Sequence, residues 1–147
     1  MSASTVLATF RPHWRFSDCK SPAFWGRGLV ASIWIYQGLV CKVFAQSPHH
    51  LTVFQTATGL APDWARLALC ALGFLETVLA VWVLTRYRPR LAALTQTLLL
   101  VGMNGAGLLS AAEKIPDPVG MIGTNLLLVA LIWMLAIPQR EVTHAAP

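Results

Sequence analysis

Charged side chains are scarce in this sequence. Asp, Glu, Lys and Arg make up 12% of it, against about 25% in a soluble globular domain. So little charge argues against a well-solvated globule. Disorder is excluded from the other side, because 56% of the residues are apolar and disordered chains are poor in apolar residues. Cysteine is sparse too. Cys19, Cys41 and Cys70 show neither a Cys-x-x-Cys pair nor zinc-ligand spacing, so no metal site is expected. There is no Walker loop, zinc-protease motif or nucleophile elbow. The glycines between Gly102 and Gly107 follow no strand and read as helix packing. No repeat, inverted or direct, is evident, which argues against a complete transporter. Arg11, Arg15 and Lys20 interrupt the apolar core that a signal peptide would need.

What remains is long uncharged runs bracketed by charge. Leu91–Ala112 and Pro118–Gln139 carry none, and Leu67–Thr85 carries Glu76 alone. Gly28–Cys41 is flanked by Arg27 and Lys42, whose stems can reach the headgroups. About 20 apolar residues cross a hydrocarbon core. The expected fold is therefore all-α, a transmembrane four-helix bundle with spans at 23–45, 67–85, 91–112 and 118–138. Residues 1–22 and 140–147 read as tails around a domain at 23–139. In the first tail, Phe10, Trp14 and Phe16 suit either a membrane surface or disorder. Short connections at 86–90 and 113–117, with a longer one at 46–66, imply antiparallel neighbours. Arg11, Arg15, Lys20, Arg27, Arg86, Arg88, Arg90 and Arg140 fall on one side, and Lys42, Arg66 and Lys114 on the other. The positive-inside rule then puts both termini in the cytoplasm. Basic loops facing anionic lipid account for the net charge of +5, so no nucleic-acid partner is needed.

Polar side chains inside spans mark either a site or an interhelical lock. By α-helical rise, Gln37 and Asn125 lie roughly 10 Å and 9 Å below the external ends, Asn104 roughly 13 Å and Glu76 roughly 15 Å. They form a band in the outer half, one per helix, with Gln96 apart near the cytoplasmic end. Lys42, His49, His50, Glu113 and Lys114 sit above it. The functional reading is an outward-facing polar pocket floored by Glu76, with Gln37, Lys42, Glu76, Asn104 and Asn125 as ligand-binding residues. Lys42 reads as too shallow for a direct pair with Glu76 unless its long stem leans inward. Gly73 and Ala80 flank Glu76 on one face, which should turn inward.

His49 and His50 read as a polar loop tip that can contribute to the pocket. With no His inside any span, haem is not expected. Cys41 and Cys70 both lie near the external end of adjacent helices and are candidates for a thiol pair or for lone apolar cysteines. Gly102, Ala106 and Ser110 make a small-residue stripe suited to close helix packing or to an oligomer. Trp25, Trp64 and Tyr87 read as interfacial anchors. Trp34, Trp82 and Trp133 lie inside spans.

Several strings resemble those of the DoxX-like family of small membrane proteins. Trp34 to Lys42 is an aromatic-rich stretch leading through Gly38 and Leu39 to Lys42. Ser47 to His50 is similar to the family's Pro/His loop, and Gly73 to Glu76 to its glycine-then-acidic pattern. Ile115 to Pro118, followed by Thr124 and Asn125, resembles its entry into the last helix. The resemblance runs from Gly28 to Ile137. It implies a four-helix bundle in the bacterial inner membrane, with links in some relatives to thiosulfate–quinone oxidation or thiol stress. Residues 51–62 lack the acidic residue that many relatives carry after the loop, which weakens transfer of a loop-based active site.

The functional expectation is an accessory or redox-associated subunit that binds a quinone or other lipophile. Expected partners are membrane lipids and a redox enzyme or other membrane subunit. One alternative is an isomerase or reductase acting on a lipophilic substrate, with Glu76 as acid–base catalyst. The other is a structural subunit with no ligand.

Overall fold

The computed structural model describes residues 21–45 and 47–137. Most of both expected tails, including Arg11, Arg15, Cys19, Lys20 and Arg140, lies outside the described residues. All regular secondary structure among the described residues is helical, without strand. Helix α1 (Pro22–Ile35) runs directly into a π-helix (Tyr36–Phe44). Then come α2 (Pro48–Thr58), α3 (Pro62–Thr85), α4 (Pro89–Ala111) with a 3₁₀ turn at Ala112–Lys114, and α5 (Pro118–Ala136).

Each of these five α-helices opens on proline. The ring pre-sets the helical φ, and its missing N–H is one that the first turn could not use. Two starts are also capped by side chains. Ser21 Oγ accepts from Phe24 N at 3.2 Å, and Asp117 Oδ1 accepts from Gly120 N at 2.9 Å. Helix α2 stops at Gly59, whose φ of 69° is left-handed. The turn from α3 to α4 is so tight that Arg86 and Arg88 also take positive φ.

Three helical stretches, Pro62–Thr85, Pro89–Lys114 and Pro118–Ala136, are long and apolar enough to cross a membrane. The first helical segment passes the same test together with α2, as a pair bent by 87°. Two features differ from the sequence expectation. The 46–66 connection holds a full helix, α2, started by Pro48 and ended by Gly59. The first expected span is not a uniform α-helix, because it rewinds as π from Tyr36 onward.

Helix α3 lies along α1 and the π-helix, α4 pairs with α5, and α2 rests on α4 and α3. Val30, Ala31, Trp34, Leu79, Ala80, Ala93, Ile132 and Ala136 form the buried core where α1, α3, α4 and α5 meet. Alanines at four of these positions let the backbones approach. Large apolar side chains face outward elsewhere, among them Phe74, Leu98, Val101, Leu109 and Leu127. Apolar surface on that scale suits lipid as the surrounding solvent.

Candidate functional site

The most polar contact in the interior lies where the π-helix crosses α3. Gly38 and Gly73 face each other there. A Cβ placed on either would fall 2.5 Å from the other's carbonyl oxygen, so the crossing admits only hydrogen at both positions. One turn further along each helix stands an ionisable residue, Lys42 after Gly38 and Glu76 after Gly73. The two meet. Lys42 Nζ donates to Glu76 Oε1 at 2.8 Å and to Oε2 at 2.7 Å, and to the Gln37 carbonyl at 3.4 Å. Lys42 is 4% exposed and Glu76 1%. This is an ion pair withdrawn from solvent, with one ammonium serving both carboxylate oxygens.

The direct pair corrects the expectation that Lys42 is too shallow to reach Glu76. Between Tyr36 and Phe44 the backbone bonds five residues apart, with Ala45 N donating to Val40 O at 2.8 Å. Such windings recur at functional sites. A methyl on Gly73 would lie 3.0 Å from Lys42 Cβ, and one on Gly38 2.9 Å from Glu76 Cβ, so each side chain starts against the other helix's glycine and the long Lys42 stem spans the rest.

The other candidates do not converge on the pair. The Gln37 side chain is exposed, and only its carbonyl takes part. Asn104 is half-buried and donates to Leu100 O of its own helix at 2.7 Å. Asn125 is half-buried on α5. The expected band of four polar side chains is thus distributed over the helices rather than gathered.

The first turn of α2 comes close enough to Lys42 for its charge to act on His50. His49 is exposed and His50 half-buried. The Nδ1 of His50 is buried and has no hydrogen-bond partner, alone among buried side-chain nitrogens and oxygens of the described residues. Its burial, then the charges of Lys42 and His49, hold the imidazole below its usual pKa of 6.5. Cys41 and Cys70 are half-buried thiols not joined in a disulfide, and Cys70 Sγ donates to the Lys42 carbonyl at 3.7 Å.

Two contacts escaped sequence reasoning. Trp34 Nε1 donates to Gln96 Oε1 at 2.9 Å, deep in the core. Trp133 Nε1 donates to Thr97 Oγ1 at 3.1 Å. Gln96 stood outside the expected band, so nothing pointed to its partner. A small cleft near the Arg27 end is lined by Arg27, Arg86, Pro89, Gln96 and Ile132, and does not include Lys42 or Glu76.

The family model described as DoxX-like family matches residues 31–133, well over half of the chain. The chain belongs to the DoxX-like family. The match encloses Gly38, Lys42, Gly73 and Glu76, so the whole crossing lies in the family region of this DoxX-like protein. No curated protein and no solved structure matches the chain. Family and span-capable helices together make it a membrane protein.

Proposed function

We propose that this DoxX-like protein is a multi-pass protein of the bacterial inner membrane that binds a quinone or similar small lipophile at its outward end, as an accessory or redox-associated subunit. In this reading Pro22–Phe44, α3, α4 and α5 are four antiparallel spans, both termini are cytoplasmic, and α2 lies outside the spans on the external side. The observation that carries the reading is the buried Lys42–Glu76 pair. Withdrawing two ions from water costs several kcal/mol each, and their attraction often does no more than offset it. A bundle that needs only a lock can use neutral groups, as Trp34 and Gln96 do in this same molecule. A charged pair suits a site that must attract a polar head and share a proton. The Lys42 ammonium would bind a carbonyl oxygen, and Glu76 would take or return a proton.

Entry is through α2. This helix has no fully buried residue, so moving it aside exposes little apolar core. Gln37, Asn104 and Asn125 are then flanking donors, with Lys42 and Glu76 as the polar centre.

The experiment is thermal unfolding of the whole protein in lipid nanodiscs with a short-chain benzoquinone. Ligand should raise the melting temperature of the native chain, and Lys42→Met and Glu76→Gln should each abolish that rise. If no quinone shifts the native protein and no lipophile copurifies, the binding reading fails. A second reading, a purely structural lock, is favoured by one observation: both oxygens of Glu76 already contact the same ammonium. Under it, the two substitutions change stability or assembly and leave no ligand effect to lose.

A further inference from the structure

Buried polar atoms in folded proteins nearly always have a partner, and an orphan asks for an explanation. The His50 Nδ1 is such an orphan. It belongs to the first turn of α2, close enough to Lys42 and His49 for their charges to act on it. A neutral imidazole carries one N–H and one lone pair. Burial, and then positive charge on Lys42, disfavours a second proton on the ring, so one nitrogen keeps a lone pair, and with the N–H on the more exposed Nε2 that nitrogen is Nδ1. The buried nitrogen is thus suited to accept a hydrogen bond, and no donor among the described residues supplies one.

Resting on the reading of the outward site as a lipophile site, we propose that His50 Nδ1 accepts a hydrogen bond from a ligand hydroxyl, so that the site selects lipophiles with a hydroxylated aromatic head. The three polar groups then divide the work by chemistry. Lys42 can only donate, so it takes a carbonyl or ether oxygen. Glu76 is held by Lys42. His50 accepts, and so distinguishes a head bearing O–H from the same head without it. Aliphatic surface on the spans accommodates the tail. His49, exposed beside His50, takes no part.

The test uses the whole protein in nanodiscs and three probes with one ring: a short-chain benzoquinone, its hydroquinone kept reduced under anaerobic conditions, and the hydroquinone dimethyl ether. The hydroquinone should bind about fivefold more tightly than its dimethyl ether, the worth of one net hydrogen bond. His50→Leu should erase that difference and leave the benzoquinone affinity within about twofold, since one lost acceptor removes about one hydrogen bond. His50→Gln, which retains an acceptor oxygen, should keep part of it, and His49→Leu should keep all of it. Equal binding of hydroquinone and ether by the native protein overturns the inference while quinone binding upholds the site. A preference that survives in both His50 variants also overturns it. Failure of all three probes to bind overturns the inference and the lipophile reading together.

Discussion

Gly38 and Gly73 sit back to back, each with its carbonyl oxygen where the other's side chain would begin. The approach brings Lys42 onto Glu76. Gly38→Ala or Gly73→Ala must push the π-helix and α3 apart, and the expected cost is about 1–3 kcal/mol, as for overpacked cores. Thermal melts in detergent check it. Gly102→Ala is the control, because nothing stands within 4 Å of its added methyl. If all three substitutions behave alike, the crossing is not the constraint described.

The ion pair gives an asymmetric expectation. Lys42→Met or Glu76→Leu alone strands a buried charge and should cost about 3–5 kcal/mol. The double substitution removes both charges and should recover much of that loss. A double-mutant cycle on unfolding measures the coupling. Additive losses would mean that the two side chains act independently.

Gln96→Leu takes away the acceptor that Trp34 Nε1 uses in the core. An unsatisfied indole N–H there should cost about 1–3 kcal/mol. Tryptophan fluorescence should shift to the blue as the indole loses its hydrogen bond. An unchanged melt and spectrum would contradict the contact.

His50 supplies the pH dependence. Burial, Lys42 and His49 favour its neutral form in the folded protein, so below pH 6.5 the unfolded chain binds more protons there than the folded one. Stability should therefore fall on acidification through the window beneath pH 6.5 and stay flat above it. Melting temperatures at a series of pH values check this, and His50→Gln should flatten the acid limb. A slope of the opposite sign would refute it.

Orientation can be read with alkaline phosphatase fusions. Under the proposed topology a fusion after Thr58 should be active and one after Arg88 silent. The reverse pattern would put the Lys42–Glu76 pair in the cytoplasmic half and remove the outward site.

Much of the helical layout was legible because charge brackets each long apolar run, and the inward face of α3 was legible from Gly73, Glu76 and Ala80. The ion pair was hidden because depth along a helix takes no account of how far a lysine stem reaches across two facing glycines. One signal did exist. Gly38 precedes Lys42 by about one turn, and Gly73 precedes Glu76 likewise, so each helix pairs a gap with a charge. Helix α2 was also written in plain terms, with Pro48 at its start and Gly59 after its end. At 11 residues it lacks the long apolar run that marks a span, so hydropathy alone does not reveal it. The link between Trp34 and Gln96 joins residues far apart in sequence, and a single chain offers no pattern that pairs them.

The proline at the head of each of the five described α-helices bears on how this protein fits bilayers of unequal thickness. The residue before a proline is driven out of the helical region, so none of these helices can wind an extra turn at its start to lengthen itself. In a thicker bilayer the protein must draw lipid inward or stand more upright, and in a thinner one it must lean. The span lengths are covalently ruled at one end, and adjustment falls to tilt.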